Sequence, residues 1–290
     1  MKKKLKIAIQ GAEASFHHMA AIAHFPDQEV EILECRRFKE VCETLVKDQV
    51  DLSLMAIENT LTGSLLPNYS LLQQHPIHII GETYLHIEQN LMALPGQQIS
   101  DLKFVHSHPI ALQQCTEFLR SHPKMIAIEK YDTAGSAREI VEQKQKGIGA
   151  IAGPQAAKTY GLEILAAEIE NLKQNYTRFL VLSRDSNGHE VPGNKASVCF
   201  EVSHKVGALA EVLQTLGEHK INLTKIQSVP ILGKPYQYQF HVDLEWAEGA
   251  SLQMALEHLE PNTYNRKVLG IYKKGKRHYD HRQSKAAAAS

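Results

Sequence analysis

The order of strand-like and helix-like segments constrains the fold of this 290-residue chain more than any other feature. An apolar run at 6–11 ends on a glycine and precedes a helical pattern that Ser15 can cap. A second run at 30–35 precedes apolar residues spaced as on one helix face over 38–46, and a third buried run covers 50–57. Two successive units of a strand followed by a helix predict a mostly parallel sheet with helices on its faces, and hence an α/β fold.

Polar clusters follow several of these runs. They lie at 56–64, 107–109, 132–134 and 175–179, and three of them stand where a strand-like run gives way to a helix or a turn. Ligands of open α/β sheets gather outside the carboxyl ends of the strands, and helix starts offer backbone N–H groups to anions. The pattern favours a site for a ligand with more than one carboxylate.

The cluster at 175–179 places a hydroxyl, a cation and an aromatic ring on consecutive residues that enter an apolar strand. Because side chains alternate along a strand, Thr177 and Phe179 share one face, while Arg178 projects to the other face or to the strand's end. Taken alone, the segment also fits an ordinary edge strand with a surface arginine.

The order of predicted strands and helices changes after a polar, turn-rich stretch at 184–194, where we place a domain boundary. The order that follows is βαββαβ, which is typical of a ferredoxin-like α+β domain. Its predicted elements are a strand at 195–203, a helix at 207–220, strands at 222–231 and 236–245, a helix at 251–259 and a strand at 266–272. We therefore expect domains at 1–188 and 195–273, followed by a low-complexity tail at 274–290.

Composition excludes several classes of function. Lys plus Arg and Asp plus Glu both total 32, so nothing indicates a nucleic-acid partner. The 4 cysteines form no C-x-x-C pair, which favours reduced thiols. No apolar stretch approaches the ~18 residues of a membrane span, so we expect a cytoplasmic protein without a membrane partner.

Metal and cofactor chemistry finds no support in the motifs. The 16 histidines include no H-E-x-x-H or paired Cys/His spacing. The glycines at 147–153 lack dinucleotide-binding spacing, and neither a Walker loop nor a G-x-S-x-G motif occurs. We predict neither a metal nor a cofactor.

Taken together, five motifs in order along the chain resemble prephenate dehydratase with a C-terminal ACT domain. They are Ile57-Glu58-Asn59-Thr60 with Gly63-Ser64, the segment 107–115, Asp132-Thr133-Ala134, Asn175 to Phe179, and the βαββαβ unit. The resemblance implies a bilobal catalytic domain similar to type II periplasmic-binding folds, with prephenate between the lobes. It also implies conversion of prephenate to phenylpyruvate, water and carbon dioxide, which yields an aromatic ring and requires no cofactor.

The resemblance also implies roles for individual residues. Thr177, Arg178 and Phe179 match the family's catalytic triplet. On this basis Thr177 hydrogen-bonds or protonates the departing hydroxyl, Arg178 anchors a carboxylate, and Phe179 packs beside the ring. Glu58 and His108 are rival proton donors. The expected substrate-binding residues are Asn59, Thr60, Gly63, Ser64, Ser107, His108, Thr133 and Ala134.

The C-terminal motifs imply feedback inhibition by L-phenylalanine. The expected effector residues are Gly207, Ala208, Leu209, Asn222 and Leu223. The segment Gln227-Ser228-Val229-Pro230 departs from the family's Glu-Ser-Arg-Pro, and this loss of charge weakens the expected response. Pairing of exposed sheet edges predicts a homodimer or homotetramer.

The first loop also departs from the family pattern. The segment 11–17 lacks the proline and inner glycine of Gly-Pro-x-Gly-Thr-Phe-Ser, and His17 replaces its last serine. Gly153 stands where a serine is common, so we assign it no ligand contact. Two alternatives to a prephenate dehydratase stay open: an arogenate dehydratase, which eliminates from the amino-acid analogue, and a non-catalytic sensor of amino acids or carboxylates.

Overall fold

The computed structural model describes residues 4–185, 193–231, 233–247 and 249–276. The strands are β1 (Leu5–Gln10), β2 (Val30–Cys35), β3 (Leu52–Asn59), β4 (Gly63–Ser64), β5 (His78–His86), β6 (Asn90–Ala93), β7 (Phe104–Ser107), β8 (Ile126–Glu129), β9 (Ile148–Ala152), β10 (Glu163–Ala166), β11 (Tyr176–Ser183), β12 (Lys195–Glu201), β13 (Asn222–Pro230), β14 (Tyr238–Glu245) and β15 (Tyr264–Tyr272). The helices are α1 (Phe16–His24), α2 (Phe38–Val46), α3 (Leu66–Gln74), α4 (Pro109–Gln114), α5 (Thr116–Ser121), α6 (Thr133–Glu142), α7 (Pro154–Tyr160), α8 (Ala208–Glu218) and α9 (Leu252–Leu259), with short 3-10 turns at Ile99–Asp101 and Glu260–Asn262.

The first lobe is built on a sheet of order β2-β1-β3-β11-β5, with β4 beside β3. Strand β1 is parallel to β2 and β3, as the sequence predicts, but β11 is antiparallel to both β3 and β5. The prediction of a mostly parallel sheet is therefore wrong beyond the first three strands, because β11 returns from the second lobe and enters the sheet from the opposite end.

The second lobe has a sheet of order β10-β6-β9-β7-β8, in which β7 is parallel to β8 and β9 while β6 is antiparallel to β9 and β10. The chain leaves the first lobe after β5 and returns to it at β11. The second lobe is thus an insertion into the first, and both connections pass the point where the two lobes meet.

Local signals in the sequence place the helix starts correctly. The Ser15 side chain accepts a hydrogen bond from His18 N at 3.4 Å, and Asp132 Oδ1 accepts one from Gly135 N at 2.6 Å. Pro109 is the first residue of α4, where its missing N–H costs nothing. The helical segment that follows is divided at Cys115 into α4 and α5.

The C-terminal unit has the predicted βαββαβ order, and its sheet runs β13-β14-β12-β15 with antiparallel neighbours. Helices α8 and α9 contribute to its own apolar core. The residues 186–192 at the predicted boundary, and 277–290 of the predicted tail, lie outside the described residues.

The C-terminal sheet packs on the first lobe, and one buried apolar cluster contains residues of both, including Ile79 and Leu180 of the lobe and Leu269 of β15. Gly270 permits this contact. A Cβ at Gly270 would lie 1.9 Å from the Ile79 carbonyl oxygen. Only a glycine allows β15 to approach β5 this closely.

Candidate functional site

A cleft of about 410 Å³ opens between the two lobes. It lies where β1, β3 and β11 of the first lobe face the starts of α4 and α6 in the second, with the start of α1 along one wall. Its polar lining residues are Gln10, Ser15, His17, Asn59, Thr62, Gln89, His108, Gln114, Asp132, Thr133 and Thr177. The site therefore brings together side chains from distant parts of the sequence.

The Thr177 hydroxyl faces this cleft with a defined hydrogen-bond polarity. Asn59 Nδ2 donates to Thr177 Oγ1 at 3.0 Å. An amide nitrogen can only donate, so the hydroxyl oxygen is the acceptor in this bond. Among the described residues the hydroxyl hydrogen has no acceptor, and it remains available to a molecule in the cleft.

Asn59 is only 7% exposed, and its amide is fully engaged within the protein. Besides Thr177, Nδ2 donates to Asn175 Oδ1 at 2.7 Å and to the Tyr176 carbonyl at 3.2 Å. Its Oδ1 accepts from Leu61 N at 2.9 Å and from Thr62 N at 3.0 Å. Asn59 thus orients Thr177 and the strand connection rather than offering a free amide to substrate.

His17 lines the cleft beside Phe179, and it was not predicted to be a site residue. The two rings meet edge to face with centroids 4.9 Å apart, and Ala56 N donates to His17 Nε2 at 3.4 Å. Burial lowers the pKa of His17 to about 3, so the imidazole is neutral near pH 7 and its proton is on Nδ1. The departure of the 11–17 loop from the family pattern was the available signal.

The second lobe contributes His108 and Thr133. Ile110 N donates to His108 Nδ1 at 3.2 Å, which assigns the proton of the neutral ring to Nε2. Burial lowers the pKa of His108, while the nearby Asp132 carboxylate acts in the opposite direction. Thr133 begins α6, and its hydroxyl has no partner within the described part of the chain.

No lysine or arginine is among the described residues that line the cleft, and Asp132 is the only carboxylate among them. Burial raises the pKa of Asp132, whereas its hydrogen bond from Gly135 N lowers it. The start of α6 is thus already occupied by a carboxylate, and an anion in this cleft would be bound by neutral donors and by the N-terminal end of α1.

Comparison with known proteins agrees with this architecture. A family model described as prephenate dehydratase matches residues 7–187. The chain belongs to the prephenate dehydratase family. Members of this family are lyases that dehydrate and decarboxylate prephenate.

Among the relatives, the chain is 36% identical to arogenate dehydratase 2 of Petunia hybrida, over 93% of this chain and 72% of the relative. A solved prephenate dehydratase of Arthrobacter aurescens in complex with L-Phe has a TM-score of 0.82 and 26% identity, covering 93% of this chain and 90% of that one. A protein described as a novel type of quorum quenching acylase also has a TM-score of 0.82, with 29% identity and coverage of 92% and 97%.

Arg178, the central residue of the family triplet, does not face the cleft. Its guanidinium is 5% exposed and bonds to Glu82 of β5, Asp243 of β14 and Tyr272 of β15. The expectation that Arg178 anchors a substrate carboxylate is therefore wrong for this structure. Strand alternation turns Arg178 away from Thr177 and towards the C-terminal domain.

Glu58 and Ser64 also face the C-terminal domain. Lys225 Nζ of β13 lies 2.9 Å from Glu58 Oε1 and 2.9 Å from Ser64 Oγ. Neither side chain lines the cleft. The expectations that Glu58 is a proton donor and that Ser64 binds substrate are therefore wrong. Side chains alternate along β3, so Asn59 faces the cleft while Glu58 faces the opposite side of the sheet.

Four more expected substrate contacts have structural roles. Thr60 Oγ1 donates to the Gln174 carbonyl and accepts from Tyr176 N, both at 2.9 Å. Ser107 is fully buried and its hydroxyl donates to the Ile151 carbonyl at 2.5 Å. Gly63 begins β4 with φ of +77°, and Ala134 packs in the second lobe's core. None of the four lines the cleft.

A second cavity, of about 400 Å³, lies on the C-terminal domain. Ala208 and Leu209 line it, and Gly207 caps α8 beside it with φ of +85°. Asn222 and Leu223 lie on β13 outside this cavity. The predicted effector residues are therefore only partly brought together within one chain.

No group of three or more His, Cys, Asp or Glu residues that could hold a metal ion occurs within the described ranges. None of the helices described is both long enough and apolar enough to span a membrane.

Proposed function

We propose that the interlobe cleft catalyses the decarboxylating dehydration of prephenate to phenylpyruvate, with Thr177 assisting departure of the ring hydroxyl. The observation that carries this assignment is the hydrogen bond from Asn59 Nδ2 to Thr177 Oγ1. It fixes the threonine as an acceptor within the protein and leaves its hydrogen for the leaving group.

In this reaction the ring C–O bond breaks, the ring carboxylate leaves as carbon dioxide, and the electrons of the broken C–C bond enter the ring. The departing oxygen must gain a proton to leave as water. A hydroxyl that already accepts one hydrogen bond is a better donor in the next, because linked hydrogen bonds polarise one another. Thr177 is well placed for this task.

Phe179 and His17 form the apolar wall next to Thr177. Phe179 is 1% exposed, and its ring contacts His17 rather than bulk solvent. This wall excludes water from the reacting ring and strengthens the hydrogen bond from Thr177. The Thr133 hydroxyl and backbone N–H groups at the start of α1 supply neutral donors for the two carboxylates.

His108 is the competing proton donor, and two substitutions separate it from Thr177. Thr177→Val keeps the shape but removes the hydroxyl, and we expect kcat to fall about a hundredfold or more. His108→Asn keeps a side chain that can cap α4, and we expect less than a tenfold loss. Phenylpyruvate formation from prephenate is the assay, and Thr177→Ser is the control that restores the hydroxyl. The opposite ranking of the two variants would assign the donor role to His108.

Arogenate is the second candidate substrate. The 36% identical Petunia relative is described as an arogenate dehydratase. Asp132 lines the cleft, where no lysine or arginine is found among the described lining residues, and it offers a carboxylate to the arogenate ammonium group. A ratio of kcat/KM for the two substrates decides between them, and a folded protein inactive on both would support the sensor instead.

The acylase likeness has less support from the site. A serine or threonine nucleophile needs a base within hydrogen-bond reach. The cleft is lined by the hydroxyls of Ser15, Thr62, Thr133 and Thr177. Thr177 and Thr62 are hydrogen-bonded to Asn59, Ser15 Oγ accepts from His18 N, and Thr133 has no partner among the described residues, so none of the four is paired with an imidazole there.

We propose that the C-terminal βαββαβ unit is an ACT domain that binds L-phenylalanine and inhibits the enzyme. The cavity beside Gly207, Ala208 and Leu209 and the L-Phe complex of the Arthrobacter protein support this proposal. An inhibition curve that stays flat into millimolar L-phenylalanine would contradict it. We also propose a homodimer or homotetramer, which light scattering of the purified protein tests.

A further inference from the structure

The two strands that carry the site present opposite faces to two different partners. On β3 and β11, Asn59 is paired with Thr177 and Glu58 with Arg178. The first pair faces the cleft, whereas the second pair faces the C-terminal domain. Thr177 and Asn59, which orients it, are thus each the immediate chain neighbour of a residue bound by the C-terminal domain.

The contact at Arg178 is buried and involves all three guanidinium nitrogens. Its Nε lies 2.7 Å from Glu82 Oε2, its Nη1 bonds to Asp243, and its Nη2 lies 3.1 Å from the Tyr272 hydroxyl. Burial alone would raise the pKa of Asp243, but the charge of Arg178 and its hydrogen bond hold this pKa below its usual value. The pair is therefore ionised near neutral pH, and both ions depend on each other for compensation.

Asp243 is itself held in place by its own domain. Ser197 Oγ donates to Asp243 Oδ1 at 2.5 Å, and Ser197 also lies 2.7 Å from the Tyr272 hydroxyl. On the lobe side, Lys195 of β12 lies 3.1 Å from Glu82. The guanidinium of Arg178 is thus fixed by groups from three strands of the C-terminal sheet, directly or through one intermediate.

Lys225 makes the second contact, with Glu58 and Ser64 both at 2.9 Å. Its side chain is 12% exposed. It ties together β3 and β4 directly behind Asn59, which donates the hydrogen bond that orients Thr177.

The strand pairing is irregular at this point. The register between β11 and β3 shifts between Arg178 and Phe179. A bulge bends a strand and increases its local twist, so the ladder alone constrains side-chain direction less here than in a regular pair. Contacts on the back of the strand then decide how Thr177 is presented to the cleft.

We infer that Asp243 and Lys225 of the C-terminal domain are positioning residues for the dehydration reaction, acting through Arg178 and Glu58 on the orientation of Thr177 and Asn59. This inference rests on the proposed function of the cleft. It assigns the C-terminal domain a role in basal turnover, in addition to any response to an effector.

Conservative variants of the full-length chain test the positioning role of Asp243 and Lys225. Lys225→Met and Asp243→Asn should each lower kcat on prephenate about tenfold with little change in KM, because they disturb the orientation of a reacting group and no substrate contact. Lys225→Arg should recover most of the activity. Lys234→Met is the matched control, because Lys234 pairs at 3.9 Å with Glu201 within the C-terminal domain and contacts no cleft strand.

A cycle with Thr177→Ala distinguishes positioning from a general loss of stability. If Lys225 acts through Thr177, Lys225→Met should lower kcat in the native background but leave the residual rate of Thr177→Ala unchanged. Equal fold-losses in both backgrounds would overturn the inference, as would unchanged kcat in folded Lys225→Met and Asp243→Asn. A wild-type protein without dehydratase turnover would instead overturn the proposed function, and this inference with it.

Discussion

The substitution Asn59→Asp tests the hydrogen-bond polarity at the centre of the site. It exchanges one NH2 for an oxygen at constant shape. Asn59 Nδ2 now donates to Asn175 Oδ1 at 2.7 Å, to Tyr176 O at 3.2 Å and to Thr177 Oγ1 at 3.0 Å. In the variant, the two carbonyl oxygens would face a carboxylate, and Thr177 would have to donate its hydrogen to it.

The structure gives a magnitude for each effect. The Thr177 contact survives with reversed polarity, while the other two bonds are lost, so with about 1 kcal/mol per bond and some repulsion we expect a loss of about 2–3 kcal/mol in the free energy of unfolding. The Thr177 hydrogen is withdrawn from the substrate, so kcat should fall about a hundredfold, as in Thr177→Val.

Urea unfolding gives the stability, and phenylpyruvate formation gives kcat. Asn175→Asp is the matched control, because it places a carboxylate in the same network and removes the donor to Gln114 Oε1 at 3.1 Å, while the Asn59 bond to Thr177 remains. We expect a similar loss of stability in the control with kcat within about tenfold of the native value. A folded Asn59→Asp protein that turns over within threefold of the native rate would refute the assignment of Thr177 as donor.

Three further outcomes follow from named contacts. His17→Phe keeps an aromatic ring against Phe179 but removes the acceptor for Ala56 N, and urea unfolding should show a loss of about 1 kcal/mol in the free energy of unfolding. Burial lowers the pKa of His241 to about 4, below its unfolded value of about 6.5, so the unfolded state binds more protons between these values and the protein loses stability as the pH is lowered from 7 to 5. Urea titrations at pH 7 and pH 5 should differ by about 2 kcal/mol more in the native protein than in His241→Phe, and equal differences would contradict this. Gly270→Ala places a Cβ 1.9 Å from a carbonyl oxygen and should cost at least about 2 kcal/mol of stability together with dehydratase activity, whereas an unchanged urea midpoint would show that β15 can move away without loss.

Much of the local structure could be predicted from the sequence, because it depends on neighbouring residues. Ser15 caps a helix as expected, and the predicted βαββαβ order is present in the C-terminal unit. Apolar periodicity and capping chemistry depend on residues a few positions apart, so they can be recognised from the sequence alone.

The direction of β11 and the partners of Arg178 were not predictable in this way, because both depend on residues far away in the sequence. Alternation along the strand did predict that Arg178 projects away from Thr177 and Phe179. The family resemblance nevertheless led to a substrate-binding role for it. Asp243, which pairs with Arg178, lies 65 positions away in another domain, and no local sequence pattern predicts such a pair.

The shared strands limit how far the two domains can be treated as interchangeable modules. A protein truncated after β11 would leave Arg178 and Glu82 without Asp243, Tyr272 and Lys195, and would uncover the apolar surface around Ile79. A chimera that carries a foreign regulatory domain would meet the same requirement. It would need an acid, a base and a close-packing glycine at the matching strand positions before its catalytic lobes could work at their native rate.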